Sequence, residues 1–473
     1  MSHPSIAPFR SLTAGRPGAR APRLAFLLGL AVAVSGSAAA QAAGEAAPSS
    51  TSQSRTLTLS QAEESALRAQ PTLRQAHAQT DAAQGRVEQA RSGYLPQATA
   101  TGLYERTTAN FVPRPGAIPS TAASTGTTAT SNNSLGRTFN FFSFGITGSQ
   151  LIYDFGQTSN RWSAASASRD ASQLTEVTTE QQALLNVRAA YFLARADEDL
   201  ITVARETLDN QDKHLNQIQA FVGAGIRPEI DLAQARTAVS NARVQLVTAN
   251  NNRAVALAQL EQAMGLSEHI DYELADSALA PVAGEDGSIE TLVNNALGVR
   301  PELATIEKQR RAQELTVSSL RGGYGPSLSA VGSVSDGGTE MSNLVANWFV
   351  GLSLNWNILQ GGLTKGQVHE ANATLVALIA QEDGLRLTVR VEVEQGQLGV
   401  RAAKETITAS RDALVNARDQ LRLAEARYAQ GLGSVIELGD AQVAVTAAAA
   451  QDVQARFNLS AARAQLMSAL GVR

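Results

Sequence analysis

Residues 324–330 read YGPSLSA and repeat residues 94–100, which read YLPQATA, at an offset of 230 positions. Further along the chain the two copies stay aligned without gaps at an offset of 206, so that Gly145 corresponds to Gly351. Self-similarity at a fixed offset is typical of a structural unit that is built more than once. The chain is therefore predicted to consist of two similar halves.

This duplication divides the chain. Repeat 1 is predicted over 57–266 and repeat 2 over 288–473, with a connector over 267–287 and a linker over 41–56. The two offsets differ because repeat 1 holds extra residues within 107–137, a stretch rich in Thr, Ser, Ala and Pro. That composition is typical of an enlarged, exposed loop.

The first 40 residues have the organisation of an export signal peptide. Arg16, Arg20 and Arg23 precede an apolar run from Leu24 to Val34, and small residues follow it up to Ala40. Cleavage is predicted after Ala40, with Ala43 as a second candidate. The apolar run has 11 residues, whereas a helix that spans a bilayer needs about 20. The segment is therefore predicted to be a cleaved signal and not a membrane anchor.

Composition and motifs argue against nucleic-acid binding and catalysis. With 39 basic residues, 43 acidic residues and no cysteine, the chain lacks a basic surplus for phosphates and any thiolate chemistry. The five histidines form no H-E-x-x-H pair, and neither G-x-S-x-G nor a P-loop occurs. We therefore predict no catalytic, cofactor-binding or metal-binding residues, and no nucleic-acid partner.

A strand is predicted over 348–359, where apolar side chains occupy every second position. The apolar positions are Trp348, Val350, Leu352, Leu354, Trp356 and Ile358. A period of two with aromatic residues near the ends suits a transmembrane β-strand. The same alternation is also typical of a half-buried strand in a soluble sheet. Repeat 1 carries a less regular copy over 142–152.

Long helices are predicted to fill most of both halves. Alanine recurs every seven residues in the last helix of each half: Ala235, Ala242, Ala249, Ala256 and Ala263, and Ala441, Ala448, Ala455, Ala462 and Ala469. Such rows favour supercoiled helices whose backbones approach closely. A helix over 157–221 would be about 98 Å long, as would its counterpart over 363–430. The helices predicted over 57–92 and 229–264 would together match one long helix.

Four strands per chain are too few to close a membrane barrel, because such barrels begin at about eight strands. An open sheet edge in lipid would leave backbone groups unpaired. The fold class predicted is therefore mainly α-helical with transmembrane β-strands contributed by several copies. An exported coiled-coil scaffold or adhesin would use the same alanine and leucine rows, although strand pairs between long helices, twice, argue against it.

Several phrases of the sequence, in this order, resemble the TolC-type outer-membrane efflux factors. They are Leu57-Thr58-Leu59-Ser60-Gln61-Ala62, Arg300-Pro301-Glu302-Leu303, Gly431-Leu432-Gly433-Ser434-Val435-Ile436-Glu437-Leu438 and Ala469-Leu470-Gly471-Val472. The resemblance covers essentially the whole chain after the signal. It favours a trimer over a dimer.

The resemblance implies a passive conduit, and no enzyme, in the outer membrane. Three copies would form a 12-stranded β-barrel and a long periplasmic α-barrel of twelve helices, with the connector in an equatorial band. The loop over 107–137 would lie outside the cell. The implied partners are two further copies of the chain, a periplasmic adaptor protein, an inner-membrane transporter and outer-membrane lipid, in drug efflux or type I secretion. The chain lacks the N-terminal cysteine that is lipidated in many members.

Two matching glycine positions are predicted to form the tight turns between long helices and returning helices. Gly225-Ile226 and Gly431-Leu432 correspond at the offset of 206, and glycine permits the left-handed conformation that ends a helix. In the resembling family these turns dock the adaptor. Ile226 and Leu432 are therefore predicted to form an apolar docking surface.

Acidic residues follow each turn. Glu437 and Asp440 are three residues apart, so they lie on one helix face, and threefold symmetry would make each a ring that favours cations. Acids at a helix N-terminus are also stabilised locally by about 0.3–1 kcal/mol.

The resemblance assigns a periplasmic gate to these acids and to two further residues. A tyrosine matching Tyr428 is expected to bond an acid matching Asp231 in the closed state. The sequence departs from the family at Gly433, where an arginine is expected, and at Ile230, where a hydroxyl partner is expected. One latch is thus predicted to be missing, with closure resting on Tyr428 and Asp231 or on packing.

Overall fold

The computed structural model describes residues 55–108, 138–267, 272–276 and 278–472. All of them belong to one structural unit, residues 54–473. The predicted signal peptide and nearly all of the linker and of the enlarged loop lie outside the described residues. Those three expectations stay predictions.

The two halves contain matching series of elements. The first forms β1 (Arg55–Leu57), α1 (Leu59–Ala69), α2 (Pro71–Ser92), β2 (Gln97–Thr108), β3 (Thr138–Tyr153), α3 (Gln157–Gly223) and α4 (Glu229–Met264). The second forms β4 (Tyr272–Leu274), α5 (Ile289–Val299), α6 (Pro301–Gly322), β5 (Ser327–Gly338), β6 (Val345–Asn355), α7 (Leu363–Ala429) and α8 (Val435–Ala469). The two long helices and the return helix α4 agree with the prediction to within two residues.

The prediction of one continuous helix over 57–92 is wrong. The chain breaks at Gln70, whose ψ of 121° is extended, and Pro71 starts a new helix at its first position. Proline disfavours the helical conformation in the preceding residue but suits the first turn of a helix. The same break occurs in repeat 2 at Arg300 and Pro301. Sequence reasoning also missed the short parallel pair of β1 with β4.

The helices form four rods that lie side by side. α2 and α4 pack along α3, and α6 and α8 pack along α7, while α3 also contacts α6 and α8. The order is therefore α2 with α4, then α3, then α6 with α8, then α7. The alanine rows are largely buried, in Ala235, Ala242, Ala256, Ala441, Ala448, Ala455 and Ala469. Close approach of the backbones, as predicted, follows from these small side chains.

The strands form one antiparallel sheet in the order β2, β3, β5, β6. Its register places Ile146, Val334 and Trp348 side by side on one face, where they are exposed by 60%, 62% and 78%. The opposite face carries mainly Ser, Thr, Gly and Asn, and the Thr147 and Ser333 hydroxyls lie 3.2 Å apart there. β6 ends at Asn355, so the predicted strand to position 359 is four residues too long.

None of the helices among the described residues combines the length and the apolar character required to cross a bilayer.

The middle of the rods is surrounded by β1, β4, α1, α5 and residues 278–288, which we call the equator. Tyr191 of α3 is fully buried there, and its hydroxyl proton is shared between the carbonyl oxygens of Leu57 and Ala275, which lie 3.0 and 2.8 Å from the hydroxyl oxygen. Arg188 donates to Glu63 of α1 at 2.6 Å. These bonds fix the short strands and α1 against the long helix.

The equator of repeat 2 is held by Glu285, which is only 3% exposed. Its carboxylate accepts hydrogen bonds from Arg463 at 3.0 Å and from the amide of Val282 at 2.8 Å, and it lies 2.7 Å from the Lys404 ammonium. Burial raises the pKa of Glu285, but the bonds from Arg463, Lys404 and Val282 outweigh it and lower the pKa to about 2. The carboxylate therefore ties residues 278–288 to α7 and α8.

Candidate functional site: the tip of the rods

The two helix-turn-helix hairpins lie at the end of the rods that is farthest from the sheet. Their long helices terminate in the same way. Gly225 and Gly431 have φ values of +74° and +75°, and the amides of Ile226 and Leu432 each donate at 2.9 Å to a carbonyl of the last helical turn. Left-handed glycines with this bonding close a helix C-terminus. Ile226 and Leu432 are 68% and 72% exposed, so the predicted docking residues form an exposed apolar surface.

The return helices begin differently. The Ser434 hydroxyl accepts a bond of 3.0 Å from the Glu437 amide and caps α8. α4 follows Pro228 and has no side-chain cap. The acid in its first turn, Asp231, is only 7% exposed.

The hairpins also differ at the repeat position that is Arg227 in the first and Gly433 in the second. Gly433 is packed against the preceding helix, because a Cβ placed there would lie 3.0 Å from the Tyr428 amide nitrogen. The arginine expected from the family would therefore require the second turn to shift. Arg227, in contrast, places its guanidinium carbon 4.7 Å from the centre of the Tyr428 ring, which is within cation–π range.

Tyr428 joins the two hairpins. It is 2% exposed and packs with Ile218 of α3, Ala235 of α4 and Leu438 of α8. The ring of His214 from α3 meets it edge-on, with centroids 5.5 Å apart. Arg227 covers the ring from the first turn, so one side chain of repeat 2 is enclosed largely by repeat 1.

The hydrogen bond expected between Tyr428 and Asp231 is absent. The Tyr428 hydroxyl is buried and has no hydrogen-bond partner among the described residues. Burial raises its pKa, the charge of Arg227 lowers it, and the negative charge of Asp231 raises it. Asp231 therefore acts on the tyrosine as a nearby charge and not as an acceptor.

The predicted acid pair lies on the first turns of α8. Glu437 forms an ion pair with Arg427 at 3.5 Å, with both side chains partly exposed. Asp440 is exposed and has no ion pair with any residue of the described ranges. Asp440 therefore lies at the surface as a free charge, whereas Arg427 partly neutralises the charge of Glu437.

Sequence reasoning missed Arg227, His214 and Arg427 as parts of the tip. The role of Arg227 could have been predicted from the duplication, because Arg227 occupies the repeat position that corresponds to Gly433, where a basic residue was expected. His214 had no such signal, because its partner Tyr428 is distant in sequence. Burial lowers the pKa of His214.

Two polar contacts join α3 to α8 above the tip. The Gln211 amide donates to the Gln442 side-chain oxygen at 3.0 Å, and the Thr207 and Thr446 hydroxyls lie 3.1 Å apart. The two repeats are therefore joined by hydrogen bonds between side chains in this region.

Helical rods of 67 residues, about 100 Å long, that carry a sheet with one exposed apolar face define the class of outer-membrane channel subunits. Within that class, the chain belongs to the outer membrane efflux protein family, whose model matches residues 63–266 and 292–472.

Individual relatives are more distant. The chain is 25% identical over 292 residues to the probable efflux pump outer membrane protein SepC of Pseudomonas putida, covering 61% of this chain and 60% of that protein. It is 27% identical over 443 residues to the outer membrane protein TolC of Escherichia coli, covering 88% and 83%. The CmeC outer membrane channel of Campylobacter jejuni superimposes with a TM-score of 0.75 at 17% identity, covering 87% and 85%. The likeness to CmeC establishes the fold.

Proposed function

We propose that three copies of this chain close into a passive conduit from the periplasm to the outside, with a 12-stranded barrel and a barrel of twelve helical rods. The observation that carries the proposal is that the sheet and the layer of rods have open edges on the same sides. β2 and β6 are the sheet edges, and α2 with α4 and α7 are the edges of the rods. One neighbouring copy on each side would cover both.

The rod edges are apolar enough to need covering. Val244 and Val247 of α4 are 64% and 66% exposed, and Val415 and Leu423 of α7 are 58% and 56% exposed. Burying such side chains stabilises by about 1.5–3 kcal/mol each.

At the periplasmic end, Ile226 and Leu432 would dock a periplasmic adaptor, which in turn binds an inner-membrane transporter. The gate would lie just beyond, with Asp440 and Glu437 repeated three times around the aperture and Tyr428 and Asp231 behind them. Acidic rings favour cations and repel anions. SepC is by its name an efflux pump component, and we propose the same role for this chain.

The test is oligomeric state together with conductance. The purified protein should migrate as a trimer that heat converts to monomer, and should open single channels in planar bilayers. Because the chain has no cysteine, Val244→Cys with Val415→Cys should crosslink only between copies, since the two positions lie on opposite edges at similar distances from their turns. A soluble rod without conductance would instead support an exported scaffold.

A further inference from the structure

The junction between the sheet and the rods carries unpaired positive charge. The four connecting segments are 91–96, 154–162, 321–326 and 356–365, which we call the collar. Their charged residues are Arg91, Asp154, Arg161, Arg321 and Lys365. The four bases are exposed and have no ion pair among the described residues, whereas Asp154 is 8% exposed and accepts a bond of 2.8 Å from the Thr158 amide. The accessible charge of the collar is therefore wholly positive.

The charge is local to the collar. Further from the sheet, Arg169 pairs with Asp170 at 2.6 Å and Arg311 pairs with Glu314 at 3.0 Å. The collar bases come from α2, α3, α6 and α7, so every rod contributes one. Two of them occupy the same place in a duplicated phrase, R-x-G-Y-x-P, which begins at Arg91 and at Arg321.

Exposed aromatic residues lie among the bases. They are Tyr94, Phe155, Trp162, Tyr324 and Trp356, which are between 38% and 56% exposed. The Trp356 indole donates to the Tyr324 carbonyl at 3.1 Å, and Tyr94 meets Trp162 edge-on at 6.3 Å. Exposed tyrosine and tryptophan mark the depth of lipid headgroups in membrane proteins. The bases therefore lie at headgroup depth, on the side of the sheet from which the rods extend.

From this placement we infer that the collar binds the headgroups of anionic phospholipids in the periplasmic leaflet of the outer membrane. The inference rests on the proposed function, because it needs the sheet in a membrane. In the trimer the collar would present twelve bases to that leaflet. Charge complementarity selects the ligand: a base at a membrane surface strengthens binding to anionic lipid by roughly fivefold, within a screening length. Zwitterionic headgroups carry no net charge that would attract these bases.

The test uses the tryptophans of the collar. The trimer with Trp348→Phe, which keeps Trp162 and Trp356, is reconstituted in phosphatidylethanolamine with increasing brominated phosphatidylglycerol, and quenching gives the relative affinity for the anionic lipid. We expect a severalfold preference that falls towards unity in Arg91→Gln/Arg161→Gln/Arg321→Gln/Lys365→Gln. Raising the salt from about 0.1 M to about 1 M should also reduce it, because the screening length falls from about 10 Å to about 3 Å.

Two controls keep the test decisive. A matched variant removes four exposed bases that form no ion pair in the described ranges and lie on the rods: Arg74, Arg236, Arg243 and Arg411, each replaced by Gln. It should keep the preference. If the fourfold collar variant does not assemble, Arg91→Gln/Arg321→Gln should lose part of the preference and Arg91→Lys/Arg321→Lys should retain it.

Conductance of the same preparations in phosphatidylethanolamine separates this inference from the proposed function. Channels that conduct but show equal affinity for the two lipids, or a collar variant with the preference of the parent, would overturn the inference alone. A protein that conducts in neither lipid would overturn the conduit itself.

Discussion

At the equator, the Glu285 carboxylate accepts bonds from Arg463, Lys404 and a backbone amide, whereas at the tip the buried Tyr428 hydroxyl has no partner among the described residues. An unsatisfied buried hydroxyl lowers the stability of the folded protein by about 1–3 kcal/mol. A buried carboxylate with all of its partners in place holds together the elements that supply those partners. At these two residues, the rods are held more firmly at the equator than at the tip. Regions that move in function belong to the less stable part of a structure, which supports our proposal that the gate lies at the tip.

The largest expected effect is at the exposed end of the tip. Leu432→Glu should abolish transport, because a charge on the proposed docking surface would have to be buried without a partner. Drug accumulation or secretion assays in cells check the loss, and the heat-dissociable trimer should persist. The same change at the equator, Val299→Glu at a residue that is 62% exposed, should leave transport intact. Ile226→Glu tests whether both hairpins dock. Normal efflux with Leu432→Glu would remove this surface from the interface.

The second prediction concerns the strength of the equator. Glu285→Gln should lower the free energy of unfolding at pH 7 by about 3 kcal/mol. The folded pKa of about 2 lies below the usual 4.5, so the contribution is complete above pH 4.5 and is lost as pH falls towards 2. The free energies of unfolding of the parent and the variant, measured with urea, should therefore approach each other as the pH falls.

Its control is Glu290→Gln, which breaks an exposed pair with Arg390 and should cost less than about 1 kcal/mol. Equal costs for the two changes would contradict the ranking of buried above exposed pairs. Channel conductance of Glu285→Gln should match the parent, because the equator lies outside the gate that we propose.

The third prediction separates the two sets of acids at the tip. Glu437→Ala with Asp440→Ala should lower cation selectivity severalfold and weaken block by multivalent cations, since accessible acidic rings attract cations. Reversal potentials in salt gradients measure this. Asp231→Ala should change selectivity less, because Asp231 is buried. Selectivity like that of the parent in the double variant would make these acids helix-terminal stabilisers only.

Much of this architecture was predictable from periodicity. The duplication, the alanine rows and the alternation over 348–354 are local signals, and the long helices and four strands follow from them. The break at Pro71 was predictable from the proline itself, but the continuous helical pattern on both sides of it was given more weight. The contacts of Tyr428 with His214 and Arg227 had no such signal, because they join three segments through tertiary packing. The loss of the Tyr428–Asp231 bond likewise depends on side-chain placement that no sequence spacing encodes.

The fourth prediction tests what holds the tip. Arg227→Gln should raise the open probability by removing a cation–π contact worth about 0.5–1 kcal/mol at such sites. Tyr428→Phe should stabilise the packed tip and lower the open probability, because it removes a buried hydroxyl that makes no hydrogen bond in this structure. Single-channel recordings of both variants check the difference. A rise in open probability with Tyr428→Phe and none with Arg227→Gln would restore the hydrogen-bonded latch.

The smallest expected effect is a response to acid through His214. Burial lowers its pKa from the usual 6.5, so the packed tip favours the neutral ring. This stabilisation is complete above pH 6.5 and is lost as pH falls through the folded-state value. Protonation would place a second cation beside Tyr428, next to Arg227 and only partly offset by the charge of Asp231.

Channels should therefore open more often as the pH falls below 6.5, by less than the change that Arg227→Gln produces. His214→Phe keeps an aromatic edge against Tyr428 without a titrating group, so it should remove this step. His77→Phe is the matched control, because that histidine is exposed and lies 3.1 Å from Glu176, in the part of α3 between the sheet and the equator. A pH response that survives His214→Phe but disappears in Glu437→Ala/Asp440→Ala would assign it to the acidic rings.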